Sequence, residues 1–184
     1  MSTPILLERL EGYLAQTQED VPLGYQDYAY ALQNGALRQG QAQHLAYWRE
    51  KLDPMPEALE LPTDAARPRS FDFKGGQQKL KLDARFSKAV DEFCEREGLT
   101  PFALMLAAYG LLLRAVSGRE DFTVGTPVSG RLRPELQGIC GPFINTLPLR
   151  LMPGGELSGK AYLQAVKDTV TELLEHQDCA PEQI

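Results

Sequence analysis

The chain has 184 residues, 43% hydrophobic and 24% charged, a composition typical of one globular domain with a sizeable core and not of a disordered chain. Its formal net charge of -6, without any run of Lys and Arg, argues against a nucleic-acid-binding face and a face for anionic membranes. Three widely spaced cysteines and the absence of a secretion signal indicate reduced thiols in a cytoplasmic protein. The two histidines are far apart, which predicts no metal site.

Three helices are predicted in the first third of the chain. Leucines at helical spacing predict the first over residues 3–16. A second begins near Tyr25, and a third follows a break at Gly35 and Gly40. The apolar residues of the second and third helices also recur at helical spacing: Tyr25, Tyr28 and Leu32, then Leu45, Trp48 and Leu52.

The middle of the chain is predicted to contain a connector, a strand and a helix. Prolines and glycines predict an extended connector over residues 53–76. Alternation of polar residues with leucines predicts a strand over residues 77–83. The following helix has Ser87 as its expected N-cap and Gly98 as its stop.

The most apolar segment, residues 102–116, predicts a core helix. Thr100 is its expected N-cap and Pro101 its first residue. The segment is shorter than the roughly 20 residues that a membrane span needs. We therefore expect a helix that is buried on most sides and no membrane segment.

Two strands and a last helix complete the predicted fold. The strands are expected over residues 121–128 and within 141–150, and Ser158 is expected to cap the last helix. Helices interleaved with about three strands indicate an α/β sandwich, with helices packed on a mixed sheet.

The second of these strands carries an amide on an otherwise apolar face. Residues of equal parity share a face of a strand, so Asn145 lies on the same face as Phe143 and Leu147. A buried amide without a partner costs about 1–3 kcal/mol. Asn145 is therefore either a structural residue with its own hydrogen bonds or a polar contact within a binding site.

No complete catalytic constellation is found in the sequence, which lacks a nucleophile elbow, a phosphate loop, a dinucleotide fingerprint and paired carboxylates. A general base would have to be His44 or His176. His44, on a predicted helix, is expected to be solvated or packed. His176 follows the last helix, where a cation complements the helix dipole, so a structural role is favoured.

Five short motifs follow one another along the chain. They are Tyr25-Gln26-Asp27-Tyr28-Ala29, Tyr47-Trp48 with Leu61-Pro62-Thr63-Asp64, the segment 125–131, the segment 141–147, and His176-Gln177-Asp178. In order and spacing they resemble the motifs of nonribosomal peptide synthetase condensation domains, and the resemblance covers the chain from end to end. It implies a fold similar to chloramphenicol acetyltransferase, with two lobes and a tunnel shared by two carrier-bound substrates.

The activity implied by this resemblance is amide formation, in which an aminoacyl acceptor attacks a donor acyl or peptidyl thioester. The implied partners are the remainder of the condensation domain, peptidyl carrier proteins and an adjacent adenylation domain. No cofactor is expected to bind directly, and the phosphopantetheine arms belong to the carrier proteins.

The main departure from the family pattern is the absence of its His-His-x-x-x-Asp-Gly loop, which in the family lies just upstream of the segment that residues 5–8 resemble. Cys179 and Ala31 also stand where the family usually has other residues. We therefore expect residues 1–184 to be a partial condensation domain, mostly its C-terminal lobe, that is inactive alone and self-associates through uncovered surfaces. The alternatives are a non-catalytic lobe that docks a carrier protein or adjacent synthetase domain, and an acyltransferase completed by a separate chain.

The resemblance implies roles for individual residues but no catalytic residue in this chain. Phe143, Asn145 and Thr146 are candidates for lining the substrate tunnel. Ten further motif residues are expected at the lobe interface or in structural roles: Tyr25, Asp27, Tyr28, Gly125, Pro127, Arg131, Gly141, His176, Gln177 and Asp178.

Overall fold

The computed structural model describes residues 2–17, 23–35, 40–66, 69–70, 73, 75–155, 157–179 and 181–184. These residues form α1 (Thr3–Leu14), α2 (Tyr25–Gln33), α3 (Gln41–Leu52), α4 (Ala84–Glu97), α5 (Pro101–Ser117) and α6 (Gly159–Glu175), with strands β1 (Phe122–Ser129) and β2 (Ile144–Leu151). The two strands pair in a two-stranded sheet, and single 3₁₀ turns lie at Pro134–Leu136 and Pro181–Gln183. The α/β class predicted from the sequence is confirmed.

Local capping explains where α5 begins and ends. The Thr100 hydroxyl accepts a hydrogen bond from the Ala103 N–H at 3.1 Å, and Pro101 occupies the first turn, where its missing N–H is not needed. Gly118 adopts a left-handed conformation with φ of 72° and ends the helix. Both ends of α5 therefore lie where the sequence predicts them.

The start of α4 corrects one predicted cap. Asp83, and not Ser87, is the N-cap, because its carboxylate accepts a hydrogen bond from the Phe86 N–H at 2.7 Å. Ser87 lies inside the first turn and donates from its hydroxyl to the Asp83 carbonyl at 3.1 Å. An ionised carboxylate at a helix N-terminus also interacts favourably with the helix dipole, which a serine hydroxyl does not.

Two other expectations are wrong in the same region. Residues 77–83 form no strand. In the preceding connector 53–76, the described residues contain neither helix nor strand, and residues 67–68, 71–72 and 74 lie outside the described part. Helix α5 buries only one face, formed by Ala103, Leu106, Ala107, Gly110 and Leu113. A sheet strand requires a paired backbone, and a residue pattern alone does not supply one.

The chain divides into two compact units. Unit 1 consists of Met1–Pro54, Gly125–Pro148 and Leu173–Ile184, and unit 2 of Met55–Val124 and Leu149–Glu172. The buried apolar residues of unit 1 include Trp48, Leu136, Ile139, Phe143 and Leu147. Those of unit 2 include Leu106, Phe122, Leu149, Leu151 and Val166.

Close packing of α5 against α6 defines the centre of unit 2. The Tyr162 hydroxyl donates to the Ala107 carbonyl at 3.3 Å, and burial raises the pKa of this phenol. A Cβ atom added to Gly110 would lie 2.3 Å from the Tyr162 oxygen and 3.2 Å from Leu151 Cδ1. Glycine at position 110 therefore allows the two helices to approach each other.

In the described part of the chain, no single helix has the length and apolar character needed to cross a membrane. Helices α4 and α5 taken together pass a test of length and composition, but the pair is bent by 101° at its junction.

Candidate functional site

Three of the five sequence motifs meet around one aromatic side chain in unit 1. Phe143 is buried with Leu136 and Ile139, and Tyr25 and Tyr28 pack against them. We call these five residues the Phe143 cluster. The Phe143 ring centre lies 5.3 Å from that of Tyr25, in edge-on geometry, and 4.8 Å from that of Tyr28. Such pairs stabilise by about 0.5–1.5 kcal/mol beyond simple burial.

Arg131 holds one side of the Phe143 cluster. Its guanidinium lies 4.1 Å from the centre of the Phe143 ring and donates to the Leu136 carbonyl and, at 3.2 Å, to the Ser2 hydroxyl. The side chain is buried, and its charge is stabilised by these acceptors and by the ring face. Arg131 therefore acts within this structure as a positioning residue for Phe143.

Two glycines allow the backbone to approach the cluster closely. A Cβ atom added to Gly141 would lie 2.1 Å from Tyr25 Cδ2, and the Tyr25 hydroxyl donates to the Pro142 carbonyl at 3.2 Å. The Gly130 N–H donates to the Phe143 carbonyl at 2.6 Å, and a Cβ atom there would lie 2.7 Å from the same oxygen. These glycines are therefore explained by contact distance.

Asn145 has hydrogen-bond partners on both sides of its amide. Its Nδ2 donates to the Cys179 carbonyl at 2.9 Å, and its Oδ1 accepts from the Thr146 N–H at 3.0 Å. The side chain is half-buried, whereas Thr146 is exposed and Phe143 is buried. These two hydrogen bonds are the partners that a structural role of Asn145 requires. The role of Phe143, Asn145 and Thr146 in lining a substrate tunnel stays a proposal.

The fold also brings the two histidines into contact, although they are 132 positions apart in the sequence. His44 Nδ1 and His176 Nδ1 lie 3.1 Å apart. The Tyr47 ring stacks on the His176 ring at a centroid distance of 3.9 Å, and the Trp48 indole N–H donates to the His176 carbonyl at 3.0 Å. The second and fifth motifs are therefore in contact, which no local pattern around either histidine could indicate.

The remaining motif residues have local contacts. The Asp27 carboxylate accepts from the Gly24 N–H at 2.8 Å at the start of α2. The Gln177 amide donates to the Leu174 carbonyl at 2.7 Å. Gly125 and Pro127 lie exposed on β1, and Gly125 faces Thr146 closely enough that an added Cβ atom would lie 3.2 Å from its Cγ2.

Burial favours the neutral form of two side chains in unit 1, Tyr28 and Cys179. Burial raises the pKa of the Tyr28 phenol, with further increases from Tyr25 and Asp178 and an opposing effect of Arg133. Burial, followed by the charge of Asp178, also raises the pKa of the Cys179 thiol. Within the described residues, no group of three or more His, Cys, Asp or Glu side chains could hold a metal ion. The raised pKa values keep the Tyr28 phenol and the Cys179 thiol protonated at neutral pH.

Comparison with known proteins identifies the family. The condensation domain family model matches residues 1–184, and the chain belongs to this family. Tyrocidine synthase 2 of Brevibacillus parabrevis is 36% identical over 180 residues, which is 96% of this chain and 5% of that protein. The chain therefore spans only a small part of this curated relative. The resemblance inferred from the five motifs is confirmed.

Solved structures agree on the fold. The SgcC5 protein of Streptomyces globisporus is 26% identical with a TM-score of 0.78, and the match covers 96% of this chain and 41% of that one. The first condensation domain of the calcium-dependent antibiotic synthetase is 21% identical with a TM-score of 0.70, again over 96% and 41% of the two chains. The described elements thus form the α/β fold of condensation domains over less than half of such a chain.

Proposed function

We propose that this chain is part of a nonribosomal peptide synthetase condensation domain and contributes to amide formation between two carrier-bound thioesters. The observation that carries the proposal is the match of the condensation domain model to all residues from 1 to 184. It is supported by the contacts that join motif residues Tyr25, Tyr28, Arg131 and Phe143.

The proposed reaction joins an acceptor amine to a donor acyl or peptidyl group. The amine nitrogen attacks the thioester carbonyl, a C–N bond forms, the C–S bond breaks, and the proton lost by the amine balances the thiolate that leaves as a thiol. Such a step requires alignment of the reactants and donors for the developing oxyanion. The His-His-x-x-x-Asp-Gly sequence of the family does not occur in these 184 residues, and we assign no catalytic role to any of them.

The contribution of this chain is therefore the shape of the substrate tunnel. Asn145 and Thr146 are the candidates that a substrate can reach, because the first is half-buried and the second exposed. Phe143 acts behind them as the buried ring that fixes the start of β2. The other candidate residues serve the interface with the rest of the domain or hold it in shape: Tyr25, Asp27, Tyr28, Gly125, Pro127, Arg131, Gly141, His176, Gln177 and Asp178.

The proposed partners are the remainder of the condensation domain, peptidyl carrier proteins with their phosphopantetheine arms, and an adjacent adenylation domain. We propose a cytoplasmic location, which suits the free thiols of Cys94 and Cys140.

A graft tests the proposed function. The segment of tyrocidine synthase 2 that aligns with this chain is replaced by residues 1–184, and the module is supplied with its own aminoacyl thioesters. We expect the graft to form the amide, detected by mass spectrometry of the carrier-bound product, at a rate that Phe143→Ala lowers together with stability. A graft that melts cooperatively and accepts loaded carriers but forms no amide contradicts the proposal and favours a docking lobe. Amide formation that requires a further separate chain favours the alternative of an acyltransferase completed by that chain.

A further inference from the structure

The contact between His44 and His176 in unit 1 joins the only two histidines of the chain. The sequence-based expectation of no metal site rested on their separation along the chain, and the fold removes that separation. Neutral imidazole nitrogens are the commonest metal ligands that proteins supply, and they suit zinc, copper and nickel. Two such nitrogens that face each other are therefore a candidate metal site.

The distance between the two nitrogens fits two ligands of one ion. Two Zn–N bonds of about 2.0–2.1 Å hold their nitrogens about 3.3–3.4 Å apart at a tetrahedral angle and about 2.9 Å apart at a right angle. The 3.1 Å between the Nδ1 atoms of His44 and His176 lies between these limits. The spacing of the two nitrogens therefore does not have to change for both to bind one ion.

Both histidines are held in place by helix α3. The Tyr47 ring stacks on the His176 ring with a centroid distance of 3.9 Å and an angle of 5° between the ring planes. The Trp48 indole N–H fixes the His176 backbone by donating to its carbonyl at 3.0 Å. His44 lies on the same helix, one turn before Trp48. This arrangement orders the two ligands before an ion binds, which lowers the entropic cost of binding.

Metal binding requires a shift of one proton within the histidine pair. The contact is a hydrogen bond, in which one Nδ1 carries the proton and the other accepts it. A metal needs the lone pairs of both Nδ1 atoms, so the donor ring has to carry its proton on Nε2, in the other tautomer of neutral imidazole. This change releases no proton and requires no redox partner. Both side chains are half-buried, so an ion and its water molecules have access to them.

We propose that His44 and His176 together bind one divalent transition metal ion such as Zn²⁺ through their Nδ1 atoms. The ion links α3 to the residue that follows α6. Within the described residues, no third His, Cys, Asp or Glu side chain completes a larger ligand set, so water fills the remaining positions. The inference concerns residues outside the proposed substrate tunnel and does not rest on the proposed function.

Titration of the 184-residue chain with Zn²⁺, followed by NMR of the imidazole nitrogens, tests the site. Because the chain has two histidines, the variants His44→Gln and His176→Gln assign all the ring nitrogen signals. We expect Zn²⁺ to shift the Nδ1 signals of both histidines and to leave both Nε2 atoms protonated. A shift at only one histidine, a shift at Nε2 in place of Nδ1, or no shift at millimolar Zn²⁺ overturns the inference.

Thermal unfolding tests whether the two histidines bind the ion together. At free Zn²⁺ about 100 times above Kd, the melting temperature of the unsubstituted chain should rise by about 5–10 °C. His44→Gln and His176→Gln should each weaken Zn²⁺ binding at least about tenfold, because each removes one of two ligands.

A cysteine variant is the matched control for binding to thiols. Cys140 is a free cysteine that is not buried, and Cys140→Ser should leave the affinity for Zn²⁺ unchanged. Zn²⁺ binding that persists in both histidine variants, or that disappears in Cys140→Ser, overturns the inference. If a histidine variant does not melt cooperatively, the spectrum of the unsubstituted chain decides by itself, since both histidines have to respond to Zn²⁺.

Discussion

The surroundings of the Phe143 cluster in unit 1 and the outer face of α5 in unit 2 differ in how far their interactions are completed by the chain itself. In unit 1, groups that are far apart in sequence pair with one another: Ser2 donates to the Gly141 carbonyl, Tyr25 to that of Pro142, and Asn145 to that of Cys179. In unit 2, the outer face of α5 and residues 77–83 are left without comparable partners among the described residues. Most of the motif residues therefore lie where distant groups pair with one another. Apolar side chains without such contacts occur in both units, on the outer face of α5 and on α1, which has no buried residue.

The largest expected effect is a difference between one buried and one exposed apolar side chain. Phe143→Ala removes a ring that contacts Tyr25, Tyr28 and Arg131, and should lower the free energy of unfolding by about 3–5 kcal/mol. Leu112→Ala, on the exposed side of α5, should change it by no more than about 0.5 kcal/mol. Urea unfolding at low protein concentration measures both, and equal losses would remove the contrast between the units.

A smaller effect is expected from a single methyl group in unit 1. Gly141→Ala should cost about 1–3 kcal/mol, because the new Cβ atom would lie 2.1 Å from the Tyr25 ring. Gly138→Ala is the matched control, since nothing lies within 4 Å of a Cβ atom at that position. Thermal unfolding compares the two variants. If the steric explanation is correct, the stability lost in the double variant Tyr25→Ala, Gly141→Ala is smaller than the sum of the losses in the two single variants.

Local sequence signals were sufficient for the helices of both units. Thr100 and Gly118 bound α5, and Ser158 caps α6 by accepting from the Ala161 N–H at 3.2 Å, because capping depends only on residues within one turn. The cap of α4 was wrong by four residues because Asp83 and Ser87 both satisfy the local rule and only geometry selects between them. The family could also be identified, since its motifs are short and ordered along the chain.

Contacts between distant segments could not be predicted in the same way. Nothing in the sequence near His44 or His176 indicates that their Nδ1 atoms lie 3.1 Å apart. For Asn145, the parity of β2 indicated that a partner was needed but not that it would be the Cys179 carbonyl. The prediction of a strand over residues 77–83 was wrong because the local pattern is that of a strand but no described segment pairs with it.

The hydrogen bonds of Asn145 give a prediction that separates its two interpretations. Asn145→Ala should lower the free energy of unfolding of this chain by about 1 kcal/mol, because it removes the hydrogen bond from Asn145 Nδ2 to the Cys179 carbonyl. Thr146→Ala, at an exposed position, should have little effect. In the graft, loss of amide formation with Thr146→Ala at unchanged stability would support the tunnel role. If Asn145→Ala costs no stability, its structural role is wrong.

The smallest expected effect is a dependence on alkaline pH that occurs in both units. Burial raises the pKa of Tyr28 in unit 1 and of Tyr162 in unit 2 above the ordinary value of 10.0. As pH rises through 10, the unfolded chain loses phenolic protons that the folded chain still holds, so the free energy of unfolding decreases until the folded phenols also ionise. Urea titrations between pH 8 and 11 should show this decrease, and Tyr28→Phe and Tyr162→Phe should each make it shallower. If Tyr28→Phe leaves the pH dependence unchanged while Tyr162→Phe reduces it, the phenol of the Phe143 cluster is no more desolvated than in the unfolded chain. Unit 1 would then be less completely closed than its contacts indicate.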